Sequence, residues 1–400
     1  MESLREHFTG VAAKYLSRVD ATPRSHQHEI GSNAFTGILG NPGANKVYFN
    51  GSFLYVADGL DEPVTASGVL TWYDTRLNNP DRSAEYRLYY RENPVTTCMT
   101  EGDFCIVARK PDGTLLLVIA PAGSTSEQQI RWLFGIDTVP SKGYSVREVA
   151  TNRVLHMAEV SVLEELGIEV RLDDENWLDR ILDRFGAKFP STADFSQFAR
   201  ETCPAVQSVE QDPDDALTCW IEHEEMLFRT LERQIVQAQL DQGFTDVDHF
   251  IQVSLSVQNR RKSRVGHALE HHLAAVFNAH ALPFGRQVVT EHRATADFLF
   301  PGRVQYLDQN YPSDRLVMVA SKSTCKDRWR QVLTEAQRIP RKHLFTLEPS
   351  ISPHQTTEMQ SHHIQLVVPE AISQTYTAEQ RTWLMNLSGL ITETRATLGL

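Results

Sequence analysis

The chain has 400 residues, which is too long for one ordinary hydrophobic core, so two domains are expected. Its composition, 41% hydrophobic and 22% charged, is usual for a globular protein. The sequence contains no run of about 18 apolar residues, so no membrane span is expected. The net charge of −12 excludes a chain that is basic throughout, and five cysteines without a C-x-x-C pair argue against a zinc ribbon or a disulfide scaffold and fit a reducing cytoplasm.

Apolar runs bounded by turn residues fill the first 140 residues or so. The runs are KVYFN, FLYVA, GVLTWYD, YRLYY, FCIVARK and TLLLVIA, and the turns between them include NPG, NNPD and KPDG. This spacing predicts a β-rich domain, either a small barrel or a sandwich.

From about residue 147 to 180 the apolar residues recur at helical spacing. The sequence GAKFPS follows, with a glycine and a proline together, and Ser191 or Thr192 is a suitable N-cap for the next helix. The predicted division is a first domain over 1–180, a linker over 181–190 and a second domain over 191–400.

The second domain starts with a long acidic amphipathic helix within the sequence QDPDDALTCWIEHEEMLFRTLERQIVQAQLDQGF. Helical segments then alternate with short apolar strands such as ADFLFP, LVMVAS, HLFTL and IQLVVP. That alternation predicts an α/β domain.

Charge is distributed unevenly along the chain. Residues 251–350 contain 15 Lys and Arg against 8 Asp and Glu, a net charge of +7 that leaves −19 for the rest of the chain. The segment NRRKSR places four of these cations before Gly266 and a predicted helix: Arg260, Arg261, Lys262 and Arg264. Cations at a helix start oppose the helix dipole, so a bound anion such as DNA phosphate would compensate them. A solvated basic face is the alternative.

Two predicted strands carry polar residues at their ends. Asp297 opens the strand in TADFLFPG and Lys322 closes the strand in LVMVASK, so the two side chains share one end if the strands are neighbours. This pair suits Mg²⁺-dependent cleavage of a phosphodiester, because a carboxylate binds the metal and a lysine stabilises developing charge. The familiar nuclease pattern has Glu-x-Lys on the second strand, but Ala320 occupies the Glu position here.

The helix predicted after Lys322 offers a substitute carboxylate. Arg328, Gln331 and Glu335 would share one helical face, which lets Glu335 point back towards the strand ends. The core-facing side would comprise Trp329, Val332, Leu333 and Ala336. A further acid, Glu270, lies in the helical sequence after NRRKSR. Ordinary surface ion pairs are the alternative for these charges.

With these segments assembled, the C-terminal half resembles the EcoRII restriction endonuclease family. The matching stretches, NRRKSR.G..LE.HL, DFLFP, K.TCKDRWRQ and HLFTL, spread over roughly residues 187–385. The resemblance implies an α/β nuclease fold of the PD-(D/E)xK type, with the usual Glu moved from the strand to the following helix. Ala296 departs from the family's proline and His267 from its lysine, and the second change could alter DNA contacts.

The resemblance also assigns roles to single residues. Asp297 matches the metal-binding aspartate, Lys322 the catalytic lysine and Glu335 the relocated glutamate, so that Asp297 and Glu335 would hold Mg²⁺. Arg328 matches an active-site arginine and Glu270 a further acidic position. DNA contacts are expected from Arg260, Arg261, Lys262, Arg264, Lys326 and Arg330.

The N-terminal half is similar to the effector domain of the same family, a β-rich DNA-binding pseudobarrel with helices. The similarity lies in the short matches YLSR, SHQ and EYR. It implies DNA contacts from Arg18, His26, Gln27, Glu85 and Arg87, with Arg24 and Arg82 nearby.

The resemblance implies a cytoplasmic type II restriction endonuclease that acts as a homodimer on double-stranded DNA, without a membrane. The expected target is a short palindrome of the CC(A/T)GG kind, and a cognate DNA methyltransferase would be the functional partner. The N-terminal domain would bind an effector copy of the DNA and would inhibit cleavage in its absence.

Two other functions fit parts of the sequence. His267, Glu270 and His271 form H-x-x-E-H, the pattern of an inverted zinc-protease motif, but RRKSR has no place in a peptidase. A DNA-binding regulator that does not cut is the second, and incubation with DNA and Mg²⁺ separates it from a nuclease.

Overall fold

The computed structural model describes residues 3–21, 28–31, 33–79, 81–137, 139, 145–149, 155–204 and 208–400. The chain divides into two compact units. The first comprises Met1–Val170 and Ser350–His354, and the second comprises Arg171–Pro349 and Gln355–Leu400.

The first unit is built on one eight-stranded sheet, so the alternative of a two-sheet sandwich is wrong. Its strands are β1 (Gly10–Tyr15), β2 (Glu29–Gly31), β3 (Val47–Tyr55), β4 (Val64–Asp74), β5 (Tyr86–Tyr89), β6 (Phe104–Arg109), β7 (Leu115–Ala120) and β8 (Ser145–Glu148). They follow the order β2-β5-β4-β3-β7-β6-β1-β8, in which β3 and β7 are parallel and all other neighbours are antiparallel. The β-rich prediction is confirmed.

Short helices accompany this sheet. They are α1 (Leu4–His7), α2 (Arg18–Ala21), α3 (Thr36–Leu39), α4 (Thr125–Leu133) and α5 (Met157–Glu165), with a 3₁₀ turn at Asn33–Phe35. The core lies where alternate side chains of the strands meet these helices, around Trp72, Leu88 and Leu117. The segment Ser350–His354 also belongs to this unit. Ile351 is 1% exposed, and the Ser352 N–H donates to Thr125 Oγ1 at 3.1 Å.

Two expectations for the first unit need correction. KVYFN and FLYVA belong to one continuous strand, β3. Gly51, in its middle, packs closely against Leu70, and a Cβ at this position would lie only 2.1 Å from Leu70 Cδ1. The helical region predicted from residue 147 is wrong at its start, since β8 pairs with β1 there and α5 begins only at Met157.

The second unit places helices around a five-stranded mixed sheet, which confirms the α/β prediction. The strands are β9 (Gly285–Val289), β10 (Thr295–Phe300), β11 (Val317–Lys322), β12 (Lys342–Thr346) and β13 (Ile364–Val367), in the order β13-β12-β11-β10-β9. Pairs β9–β10 and β10–β11 are antiparallel, whereas β11–β12 and β12–β13 are parallel.

The helices of this unit are α6 (Leu178–Phe185), α7 (Thr192–Thr202), α8 (Pro213–Gln242), α9 (Val247–Ala279), α10 (Arg303–Leu307), α11 (Pro353–Ser361, which starts in the segment of the first unit), α12 (Glu370–Ser373), α13 (Ala378–Arg381) and α14 (Leu387–Leu398). Four 3₁₀ segments occur at Glu175–Trp177, Glu291–Arg293, Ser313–Arg315 and Lys326–Thr334. Phe277 of α9 packs edge-on against Phe298 and Phe300 of β10, at ring distances of 5.2 and 5.1 Å, which fixes α9 on the sheet.

The predicted linker is wrong in its first half. Residues 181–185 belong to α6, and Ile181 is fully buried against the core of α7 and α8. The compact units divide earlier, between Val170 and Arg171. The N-cap prediction is confirmed, because the Ser191 hydroxyl accepts the Asp194 N–H at 3.2 Å at the start of α7.

The long acidic helix is confirmed as α8. The prediction for NRRKSR is wrong, since α9 begins at Val247 after its cap Asp246 and the basic residues lie in the middle of a 33-residue helix. The argument from the helix dipole therefore does not apply to them. Among the helices of the described residues, none combines the length and the apolar character needed to cross a membrane.

Candidate active site

The antiparallel pairing of β10 and β11 brings the predicted aspartate and lysine together. Phe298 lies opposite Val319, so Asp297 at the head of β10 meets the end of β11. Asp297 Oδ2 accepts from Lys322 Nζ at 2.9 Å and from the backbone N–H of Ser321 at 2.8 Å. Both side chains are largely buried, at 9% and 15% exposure, so the pair is screened from bulk water.

The segment after β11 delivers Glu335 to this region by a route that differs from the prediction. It is a 3₁₀ helix over Lys326–Thr334, and Glu335 follows it in an extended conformation instead of sharing a helical face with Arg328. Trp329, Val332 and Ala336 are fully buried as predicted, whereas Leu333 is half-buried.

Two buried charged side chains hold this 3₁₀ helix at its ends. At the start, Glu348 Oε2 accepts the Cys325 N–H at 2.6 Å. At the end, Lys342 Nζ donates to the carbonyl oxygens of Val332 and Leu333 at 3.2 and 2.7 Å. The ends of such helices leave carbonyls without partners, so Lys342 both satisfies them and fixes the residue that follows. Sequence reasoning missed Lys342, because a lysine at the start of a strand gives no sign of burial.

Glu335 is an acid in an unusual environment. It is 7% exposed, and its Oε2 has no hydrogen-bond partner among the residues that the structure describes. Burial raises the pKa of Glu335 to about 7, with Asp297 adding to the rise and the charges of Lys322 and Lys342 opposing it. A buried carboxylate oxygen without a partner is costly, which indicates that a ligand supplies one.

Glu270 of α9 is joined to this group through a residue that sequence reasoning missed. Gln287 of β9 donates from Nε2 to Asp297 Oδ1 at 3.0 Å and to Glu270 Oε2 at 2.8 Å. Arg286 lies on the outer side, with Nη2 3.5 Å from Glu270 Oε2. The described structure thus brings Asp297, Lys322, Glu335 and Glu270 into one region.

The oxygen atoms of this region fit a hard divalent cation. Mg²⁺ is usually held by one or two carboxylates and completes its shell with water and phosphate oxygens, so Asp297 and the unpartnered oxygen of Glu335 are suitable ligands. Within the described ranges no group of three His, Cys, Asp or Glu side chains is arranged to hold a metal.

The basic residues of α9 have partners on α8. Arg264 is 7% exposed and pairs with Glu224, at 3.0 Å, and with Glu225. Arg261 pairs with Glu232, whose side chain is 3% exposed. The guanidinium of Arg264 is buried in ion pairs that join the two helices, and its expected DNA contact stays a prediction.

The remaining cations of the basic group lie nearer the surface. Arg260 is exposed and stacks over the ring of Phe189 at 4.3 Å, and Lys262 is exposed on the same helix. Arg328 is exposed on the 3₁₀ helix, where Arg330 pairs with Glu358 at 2.8 Å and covers Trp329. The side chain of Lys326 lies outside the described residues.

Three of the residues expected to contact effector DNA are described in the first unit. Arg18 is exposed at the start of α2, and Glu85 pairs with both Arg76 and Arg87. The guanidinium of Arg87 lies over Gly31, where a Cβ would be 2.6 Å from Nη1. Arg82 is exposed, whereas Arg24, His26 and Gln27 lie outside the described residues.

The H-x-x-E-H residues do not converge. His267 is exposed, Glu270 accepts from Gln287, and His271 Nδ1 lies 3.3 Å from Arg286 Nη1. Burial and the charge of Arg286 lower the pKa of His271. Among the described residues, these three side chains do not form a group that could hold a metal.

Comparison with known proteins covers the segment that carries this site. Residues 228–391 match a family model described as EcoRII C terminal. This segment is therefore similar to the C-terminal domain of EcoRII. The curated relative "Type II restriction enzyme EcoRII" of Escherichia coli is 41% identical to this chain over 209 residues, which cover 52% of the chain and 50% of the relative. The chain thus spans about half the length of the curated relative that it matches.

Solved structures show weaker likenesses to this chain. "Metal-depleted Ecl18kI in complex with uncleaved, modified DNA" covers 56% of this chain and 85% of that chain at 16% identity, with a TM-score of 0.47. "Restriction endonuclease PspGI-substrate DNA complex" covers 53% and 94% at 15% identity, with a TM-score of 0.44. At such values the likenesses say nothing about the activity of this chain.

Proposed function

We propose that this protein is a type II restriction endonuclease that cleaves double-stranded DNA with Mg²⁺. The observation that carries the proposal is the buried pair of Asp297 and Lys322 beside an unpartnered oxygen of Glu335, within the segment that matches the EcoRII C-terminal model. Two carboxylates close to a lysine suit metal-assisted cleavage of a phosphodiester.

The residues of the site would have separate roles in metal binding, charge stabilisation and DNA binding. Asp297 and Glu335 would hold Mg²⁺, which when bound lowers the pKa of a water and neutralises phosphate charge. Lys322 orients Asp297 through their contact at 2.9 Å and presents a positive charge to the phosphate that is attacked. Arg328, exposed on the 3₁₀ helix, is available to bind the DNA backbone beside them.

The recognition and regulation of DNA follow from the same proposal. The exposed cations Arg260 and Lys262 are candidates for DNA contacts, and CC(A/T)GG is the kind of site expected for an EcoRII-type enzyme. Such a palindrome suits a homodimer, whose two-fold symmetry matches that of the DNA. A cognate DNA methyltransferase would protect the host's own sites.

The first unit would bind a second, effector copy of DNA and restrain cleavage until it does so. Arg18, Arg87 and Glu85 are its described candidates for this contact. The charge distribution supports the restraint, since the residues outside 251–350 carry a net charge of −19 against +7 within it.

The decisive experiment is to incubate the full-length protein with a plasmid that carries CC(A/T)GG sites, with Mg²⁺ or with EDTA, and to sequence the ends that form. Discrete ends at one recurring sequence, formed only with Mg²⁺, support the proposal. Specific binding without any cleavage would instead identify a DNA-binding regulator.

A further inference from the structure

Gln287 occupies an unexpected position between two acids. Its Nε2 lies 3.0 Å from Asp297 Oδ1 and 2.8 Å from Glu270 Oε2, so one amide group joins β10 to α9. Asp297 Oδ2 is already bound by Lys322 and by the Ser321 N–H. The amide of Gln287 is therefore what fixes the rotation of the other carboxylate oxygen and the distance between the two acids.

The backbone of Gln287 is held in a conformation that side-chain-bearing residues rarely adopt. Its φ is +49°, although it lies inside β9. The flanking residues keep the register of the sheet, with Val288 opposite Ala296 and Arg286 opposite Phe298. A left-handed conformation strains a residue that bears a side chain, and such outliers concentrate at functional sites.

The side chain itself is exposed, so burial of a core residue does not explain this conformation. The left-handed turn aims the amide at the carboxylates instead of leaving it in solvent. A neutral donor between two anionic oxygens reduces their repulsion without occupying a ligand oxygen of Glu335.

We propose that Gln287 is a positioning residue, which holds Asp297 and Glu270 in the geometry that binds the catalytic cation. This inference rests on the proposed nuclease function and adds to it a residue outside the Asp, Lys and Glu set. Outer residues that orient metal ligands typically change metal affinity or activity by about 10- to 100-fold when they are removed.

The test uses the full-length protein with two substitutions. Q287A removes the amide and keeps a side chain at positive φ, while Q287G removes the amide and relieves the backbone. V289A is the matched control, because Val289 is 55% exposed two residues along the same strand. Three quantities are measured: the melting temperature, the affinity for Mn²⁺ by calorimetry, and the Mg²⁺ concentration that gives half-maximal cleavage.

Both Gln287 variants should bind Mn²⁺ about tenfold more weakly and need about tenfold more Mg²⁺. Their cleavage rate should approach that of the wild type at saturating Mg²⁺, since the ligands themselves remain. Q287G should melt close to the wild type, because relief of the left-handed strain offsets the greater freedom of glycine in the unfolded chain. V289A should match the wild type in all three quantities.

The two levels of inference fail differently. A wild-type protein that neither binds Mn²⁺ nor cleaves DNA contradicts the proposed function. A wild type that does both, with Gln287 variants within twofold of its Mn²⁺ affinity, overturns the role of Gln287 alone. Weaker Mn²⁺ binding that accompanies an equal loss of melting temperature in both variants would assign Gln287 to folding and would also overturn it.

Discussion

Asp297 makes more contacts within the site than any other acid there, through Lys322, Ser321 and Gln287. D297A should reduce cleavage about a thousandfold or more, because loss of the metal removes several kcal/mol of transition-state stabilisation. DNA binding should remain, since the surface cations are unchanged. Cleavage rates and gel-shift affinities measure the two effects, with D314A, an exposed acid on a 3₁₀ turn, as the control. Near-normal cutting by D297A would contradict the site.

Glu335 makes a prediction about stability as well as activity. Because the pKa of Glu335 is raised from 4.5 to about 7, the folded state binds more protons than the unfolded state between these values, and stability falls as pH rises through them. E335Q should therefore stabilise the metal-free protein above pH 7, by up to about 3 kcal/mol, and should not do so below about pH 4.5.

Thermal melts of E335Q and wild type across this range, in EDTA, measure that difference. E379Q serves as the control at an exposed glutamate. A gain in melting temperature that is equal at pH 5 and pH 8 would show that Glu335 is not an acid of raised pKa. The same E335Q variant should lose cleavage, since a metal ligand is lost.

Single residues were predictable from sequence to different degrees. Asp297 and Lys322 stand at the ends of apolar runs, so their position at one sheet edge could be derived once the strands were taken as neighbours. The sequence predicts Glu335 near the strand ends through a helical face that does not exist, since a 3₁₀ helix ends just before it. Gln287 gave no signal, because a positive φ in a strand cannot be seen in a lone glutamine.

Between α8 and α9, a layer of buried ion pairs replaces part of the expected apolar contact. Arg264, at 7% exposure, neutralises Glu224 and Glu225. R264A should lower the free energy of unfolding by about 3–5 kcal/mol, because it removes the cation that Glu224 and Glu225 share and leaves Glu224 with His272 and Glu225 with Arg229 as partners. Urea unfolding measures this, and Q258A, at an exposed position on the same helix, should change stability by less than about 0.5 kcal/mol. Equal effects of the two substitutions would mean that the pairs do not stabilise the helices.

The same ion pairs explain why α9 was not recognised as one helix. The apolar periodicity that reveals a helix is interrupted at NRRKSR, where the inward-facing position is an arginine matched by acids 40 residues earlier in the sequence. The strands of the first unit are easier to predict from the sequence, because turn residues separate them. The exception is β8, whose few residues run into a helical pattern.

At the scale of the whole molecule, the opposite charges of the basic stretch and the rest of the chain motivate a test of regulation. A short duplex that contains the target should, when added in trans, speed the cleavage of a one-site plasmid by the full-length protein. The duplex would act by binding more tightly to the cleavage-competent state of the protein than to the restrained state, and a scrambled duplex should have no effect. Plasmid cleavage rates over a range of duplex concentrations measure this acceleration. A rate that never rises would make the N-terminal half a targeting module instead of a gate.

The five residues Ser350–His354 return to the first unit after almost the whole second unit has been made. A ribosome therefore completes residues 1–170 long before it supplies Ile351, which is almost entirely buried in the finished protein. Final folding of the N-terminal half must wait until the chain is nearly released. For the same reason, a gene fragment that starts at Arg171 would encode Ser350–His354 without the rest of the first unit, in which they are packed. Recombination at a single junction could therefore not transfer either unit intact.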